Sequence, residues 1–204
     1  MKEILVASHN QGKLEEMRAM VSGYPLRLRS PDQLGIKWEV EETGQTFDEN
    51  ALIKARALHE RAGGWVMADD SGLCVDALGG APGIYSARYG GPPASDESNM
   101  DRLLEEMRHL PPAERTAAFC CSLALIDPQG REALFRGRTE GSIALTRSGS
   151  AGFGYDPIFL PLGESRSMAE LDAGEKNRIS HRGRAIDLFL KEYFGDDQGS
   201  QVTR

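Results

Sequence analysis

Cysteine is scarce in this chain: Cys74, Cys120 and Cys121 are the three present, and two of them are adjacent. An odd count excludes a fully paired disulfide framework, and without a CxxC there is no thiol pair of the kind that holds structural zinc. A reducing compartment, the cytoplasm, is the simplest setting. Long hydrophobic runs are missing too. Nothing approaches the roughly 20 apolar residues that a membrane-spanning helix needs, and the apolar stretch in "MKEILVASHN" is too short for a secretory leader. Positive charge is not in excess either. The formal net charge is −7, whereas a nucleic-acid surface calls for a basic stripe. The expectation is therefore no membrane and no nucleic acid. A small anionic ligand stays open, since a few local cations can hold a phosphate inside an acidic protein.

What is present suits an α/β chain. Its 204 residues, 40% of them hydrophobic, fit one large domain or two closely packed lobes. "EILVA" reads as a short buried strand, broken by "SHNQG" and followed by "KLEEMRAMVSGY", whose Leu14, Met17, Met20 and Val21 recur at helical spacing. Thr46 and Glu49 form a capping-box pattern before a helix with Ala51, Leu52, Ala55 and Leu58 on one face, ended by Gly63 and Gly64. "WVMA" is a strand predicted to end at Asp69 and Asp70. "ALGGAPGIYSARYGGPP" is a shaped loop, and "SDESNMDRLLEEMRHLPP" a helix capped by Ser95. "RTAAFCCSLALI" and "EALFRGRTEGSIAL" flank "DPQGR" as a long antiparallel hairpin. "SGSAGFGYDPIFLPLG" reads as a glycine-rich loop, and two helical patterns close the chain, the second capped by Ser180. The predicted sheet mixes parallel and antiparallel strands. One domain over 1–194 and a frayed polar tail over 195–204 are expected.

Four groups of residues can carry chemistry. Ser8, Asn10, Gly12 and Lys13 lie between a strand and a helix start, where backbone N–H groups and the helix dipole favour an anion. This is not a P-loop, because the GxxxxGK[ST] spacing is absent; an ordinary turn with a capping Asn is the plainer alternative. Glu42 with Asp69 and Asp70 suits Mg²⁺, which takes one or two carboxylates and completes its shell with water and phosphate. Neighbours on a strand face opposite ways, so one aspartate can face the metal while the other braces the loop; a hydrated acidic turn is the alternative. In "GFGYD" the glycines let backbone approach a ligand, Phe153 and Tyr155 can stack on a planar base or plug the core, and Asp156 can accept a hydrogen bond. Lys176 and "SHRGRA" form the fourth group. His181 and Arg182 at a helix start oppose the dipole, a conflict that an anionic or carbonyl ligand relieves.

Taken together, "SHNQGK", "EETGQTFDENALIKA", "ADDSGLCVDALGGAPGIYSARY", "GFGYDPIF" and "EKNRISHRGRA", in this order, resemble the inosine/xanthosine triphosphate pyrophosphatases. These enzymes remove non-standard purine nucleotides. The resemblance runs from residue 4 to about residue 194. It implies Mg²⁺-dependent hydrolysis of ITP, dITP or XTP to the monophosphate and pyrophosphate. It also implies an elongated mixed α/β fold of two lobes with the site in a central cleft, usually as a homodimer. By the same resemblance Ser8, His9, Asn10, Gln11, Gly12 and Lys13 match the phosphate-binding loop. Asp70 matches the metal ligand and proton acceptor, and Ser71 a substrate contact. Glu42 matches a second metal ligand, with Glu41 leaving the register open. Phe153, Gly154, Tyr155, Asp156, Lys176, His181 and Arg182 match the base pocket. Joined to phosphoryl-transfer chemistry, this gives Lys54 and Lys13 the charge of the leaving pyrophosphate. Many members have Thr and Gly where this chain has Ser8 and His9; serine keeps the hydroxyl, while His9 adds a side chain beside the phosphates.

Overall fold

The structure is a computed structural model, and residues 1–195 are described. Of the tail expected at 195–204, all but Gly195 lies outside the described residues. The chain begins with a strand, β1 (Lys2–Val6), followed by a helix, α1 (Gln11–Met20), and a second strand, β2 (Leu26–Arg29). The helix α2 (Phe47–Ala62) precedes the long strand β3 (Val66–Val75). Then come α3 (Asp96–Glu106), the strands β4 (Thr116–Ile126) and β5 (Glu132–Ile143), the short β6 (Phe159–Pro161), and the helices α4 (Ala173–Ile179) and α5 (His181–Phe194). The six strands form one sheet in the order β2-β1-β3-β4-β5-β6. β1 pairs in parallel with β2 and β3, and β5 pairs antiparallel with β6. The mixed sheet with flanking helices is thus the α/β fold that the sequence predicts.

The chain divides into two compact units: Met1–Asp70, Cys121–Gly137 and the segment from Arg182 in the first, Ser71–Cys120 and Arg138–His181 in the second. In the first, Ile4, Val6, Leu14, Met17, Leu123, Ile186 and Phe189 form one apolar cluster, and Ala51, Ala55, Leu58, Val66 and Ala68 belong to another. Of the periodic residues, Leu14, Met17, Ala51, Ala55 and Leu58 are buried in the helices, as their spacing requires, while Met20 and Leu52 are half-buried and α2 also buries Asn50 and Lys54. In the second, Leu73, Val75, Met100, Leu103, Phe119, Tyr155 and Phe159 make the core.

Local signals set most boundaries. Thr46 caps α2 by accepting from Glu49 N at 3.2 Å. The Glu49 carboxylate reaches past the expected Thr46 N–H to Gln45 N, at 2.6 Å. Ser95 caps α3 through Ser98 N at 3.0 Å. The "DPQGR" turn closes with Asp127 N donating to Arg131 O at 3.1 Å and Gly130 N to Asp127 O at 2.9 Å. Three expectations differ from the structure. β3 does not stop at Asp69 but continues through both aspartates, Ser71 and Gly72 to Val75. "LRLR" is a strand, and "FLP" inside the glycine-rich loop is another. Both are short, and each is stabilised by pairing along one neighbour, β1 and β5 respectively. The helical pattern at "SMAELDAGEKNRI" breaks in two, because Asp172 caps a new start through Glu175 N at 2.7 Å.

Candidate active site

The first unit gathers the phosphate-loop and acidic residues. Asn10 caps α1, its Oδ1 accepting from Lys13 N at 3.0 Å, while Ser8 Oγ accepts from Asn10 N at 3.2 Å. The loop is therefore folded onto itself, and α1 starts at Gln11. One turn into α1, Lys13 and Glu16 share a face at i,i+3 spacing. Lys13 Nζ lies 2.9 Å from Asp69 Oδ2. Arg182, the second residue of α5, places Nε and Nη2 at 3.3 Å from the same oxygen and donates through Nη1 to Glu16 Oε2 at 2.5 Å. Two cations and two anions thus alternate as Lys13, Asp69, Arg182, Glu16. Asp69 is 1% exposed and Arg182 2%, a depth at which unpaired charges are not tolerated. Burial pushes the Asp69 carboxyl up, but Lys13, Arg182 and Lys54 together hold it well below the usual carboxylate range. Arg182 is correspondingly held in its charged form: burial opposes it, and Asp69 and Glu16 prevail.

Asp70 has a separate set of partners, as the alternation of side chains along a strand requires. Lys54 Nζ sits 2.8 Å from its Oδ1, and Asn50 Nδ2 lies 3.4 Å from its Oδ2. Asn50 and Lys54 stand four residues apart on α2, so both present to the same strand position. Glu42 Oε1 is 3.4 Å from the same Lys54 ammonium, and Glu41 is exposed. Burial pushes the Asp70 carboxyl up; Lys54 opposes this and Glu42 adds to it, leaving the net shift upward. Asp70 is thus the acid whose surroundings favour taking up a proton. Two carboxylates converging on one ammonium define a place where a cation is held. That donor set fits Mg²⁺, which needs one or two carboxylates and leaves its other positions to water and phosphate. No group of three or more His, Cys, Asp or Glu residues arranged for a metal occurs among the described residues.

The second unit holds the other group. Lys176 Nζ lies 2.7 Å from Asp156 Oδ2 and 4.9 Å from the Phe153 ring centroid. The same carboxylate oxygen accepts from Phe153 N at 3.0 Å. Gly152 is required here: its φ is +79°, and a Cβ on it would come 2.1 Å from Asp156 Oδ2. Gly154 N donates to Asp96 Oδ2 at 2.6 Å. Tyr155 belongs to the apolar core and its hydroxyl donates to Ser86 O at 2.8 Å. His181 stacks on Phe119, with ring centroids 4.8 Å apart and 12° between planes. Ser71 is half-buried on β3.

Residue type and motif alone assign no role to Glu16, Asn50 or Trp38. The helical spacings Lys13/Glu16 and Asn50/Lys54 carried the signal for the first two. Trp38 had none: it is buried, stacks on His9 at 5.0 Å between ring centroids, and with His9, Lys37 and Arg61 lines a pocket of about 450 Å³.

Residues 4–192 match the Ham1 family. The chain belongs to that family. Among its relatives is a dITP/XTP pyrophosphatase of Geobacter sulfurreducens, 48% identical over 195 residues, covering 96% of this chain and 98% of the relative. A dITP/XTP pyrophosphatase of Bacillus licheniformis is 46% identical, covering 91% of this chain and 95% of its own. The solved structure of a HAM1 protein from Coxiella burnetii superposes with a TM-score of 0.85 at 40% identity, covering 94% of this chain and 98% of the other. The Ham1 fold therefore extends over essentially the whole described chain, and both residue groups lie within it.

Proposed function

We propose that this chain hydrolyses the non-standard purine nucleoside triphosphates ITP, dITP and XTP to the nucleoside monophosphate and pyrophosphate, with Mg²⁺ as cofactor. The observation that carries this reading is the pairing of Asp70 and Glu42 around Lys54, beside a capped helix start bearing Lys13. The names of the two dITP/XTP pyrophosphatase relatives support it.

In this reading, Ser8 to Lys13 receive the phosphates through backbone N–H groups and the Lys13 ammonium. His9 and Gln11 belong to that loop. Asp70 accepts the proton of the attacking water as general base. Lys54 takes up charge on the departing pyrophosphate. Asp70 and Glu42 would hold the Mg²⁺; bound there, the ion supplies neutralisation of the triphosphate charge and polarisation of its oxygens. Asp69, flanked by Lys13 and Arg182, sets the position of those two cations. The base falls to Phe153, Gly154, Asp156, Lys176 and His181, with Tyr155 fixing the loop, and Ser71 contacts the substrate next to Asp70. A homodimer working in the cytoplasm, with residues 1–194 as one catalytic domain, completes the proposal; the resemblance in sequence supports the dimer, and the scarcity of cysteine the compartment. No helix among the described residues is long and apolar enough to cross a membrane.

The test is pyrophosphate release from ITP, XTP, GTP and ATP with Mg²⁺, with and without chelator. Release from ITP and XTP that chelator abolishes and Mg²⁺ restores supports the reading. Equal release from ATP, or no dependence on a divalent ion, overturns it.

A further inference from the structure

Outside these groups, three neighbouring strands bring together side chains that the proposed hydrolysis does not use. Cys74 lies on β3, Cys120 on β4 and Arg138 on β5, which are consecutive in the sheet. Arg138 Nη1 donates to Cys120 Sγ at 3.4 Å. The thiols of Cys74 and Cys120 lie close enough to shift one another's ionisation, and both are half-buried rather than sealed in the core. Directly opposed positions on adjacent antiparallel strands lie about 4.5–5.5 Å apart between Cα atoms, and a disulfide spans roughly 4.4–6.8 Å.

We propose that Cys74 and Cys120, with Arg138 beside them, form a dithiol site that a small hydroperoxide oxidises to an intramolecular disulfide. The charges around it are Arg138, its partner Glu140 at 3.6 Å, and Asp76 near Cys74. The neighbouring Cys74 thiol and the Arg138 guanidinium, whose Nη1 donates to Cys120 Sγ at 3.4 Å, together outweigh burial and bring the Cys120 thiol down to about 6. Cys74 is pushed well above the ordinary thiol range by the neighbouring Cys120 and by burial. One thiol is thereby set as nucleophile and the other as resolving group. Cys121 is the internal control: it is 2% exposed, and burial pushes its thiol up to about 12.

The Cys120 thiolate attacks one peroxide oxygen. The O–O bond breaks, and the leaving hydroxide or alkoxide takes a proton and departs as water or alcohol. The sulfur, oxidised by two electrons as the peroxide is reduced, becomes a sulfenic acid. Cys74 gives up its proton and attacks that sulfur; the S–S bond forms, the S–O bond breaks, and hydroxide leaves with the Cys74 proton as water. In sum, two thiols and one hydroperoxide give one disulfide, one water, and one further water or alcohol.

The experiment treats the full chain with hydrogen peroxide, denatures it, blocks the remaining thiols with an alkylating reagent and maps peptides by mass. Untreated protein should carry three blocked cysteines. Treated protein should carry a block on Cys121 alone and yield one peptide pair linked through Cys74 and Cys120, separable by reductant. Cys74→Ser should stop at a sulfenic acid on Cys120, trapped by dimedone. Cys120→Ser should leave Cys74 and Cys121 fully blockable. Three blocked thiols in the wild type, under peroxide that oxidises free cysteine, overturn the proposal. So does a linkage that includes Cys121 or joins two chains.

Discussion

Arg182 and Asp69 meet at 3.3 Å across 113 residues of sequence, both of them buried. The pair explains how β3 tolerates two adjacent aspartates. Asp69 is neutralised from one side by Arg182 and Lys13, and Asp70 from another by Lys54. The strand therefore runs on where a repelling pair in isolation would have ended it.

Asp69→Asn should cost stability. It leaves Arg182 and Lys13 without their shared carboxylate, and breaking one partner of a buried pair typically costs about 3–5 kcal/mol. The pH dependence follows from the direction of the shift. A carboxyl held below its unfolded value, 3.8, contributes stability that is complete above that value and is lost as pH falls below it toward the folded pKa. Urea unfolding at neutral and acid pH checks both points: the variant should be weaker at neutral pH, and its stability should fall less steeply in acid. A variant as stable as the wild type at neutral pH refutes the pairing.

Lys13→Ala bears on the loop. As a loop lysine in solvent it would matter little to folding. Its side chain is only 17% exposed and lies 2.9 Å from Asp69, so the variant should lose thermal stability as well as raise KM for ITP. An unchanged melting temperature together with unchanged kinetics would reduce the segment to an ordinary turn.

Asp70→Asn removes the carboxylate with the raised proton affinity but keeps its shape. Turnover should fall by at least ~10²-fold, the low end for one acid–base group. The protein should stay folded, because Lys54 retains Glu42 at 3.4 Å. Near-normal kcat at saturating Mg²⁺ would move the role to Asp69 or Glu42.

Base choice tests the second group. Hypoxanthine and xanthine offer an acceptor at the 6-oxygen, whereas adenine offers an amino donor there. Lys176 has only donors to give. Facing the adenine amino group, it would leave buried donors unmatched at about 1–3 kcal/mol each. ITP should therefore exceed ATP in kcat/KM by about 10²-fold or more. Lys176→Met should narrow that gap while leaving GTP rejection, which depends on the 2-amino group, unaltered. A gap that stays the same in Lys176→Met assigns the contact elsewhere.

Where a helix or strand follows from its own residues, it could be read before the structure. Thr46 and Ser95 caps, the apolar faces of α1 and α2, and the "DPQGR" turn all act within a few residues of one another. β2 and β6 could not be read in the same way, since four and three residues carry too little pattern and exist through pairing with β1 and β5. The site divides along the same line. Lys13, Lys54, Glu42 and Asp70 could be picked out by residue type and order. For Glu16 and Asn50 the sequence shows only helical spacing to Lys13 and Lys54; the partners that define their roles, Arg182 and Asp70, lie on distant segments.

By itself, then, the sequence determined the elements whose stabilising contacts are local, the mixed α/β class, and the residue types that phosphate and metal chemistry need. The tertiary structure alone decided what each charge is for. A carboxylate's proton affinity depends on burial and on which cations lie within a few ångströms, and those cations come from segments far apart in the chain. Asp69 and Asp70 are chemically identical neighbours. Because a strand turns successive side chains to opposite faces, one meets Lys13 and Arg182 and is held ionised, while the other meets Lys54 and Glu42 and is disposed to accept a proton.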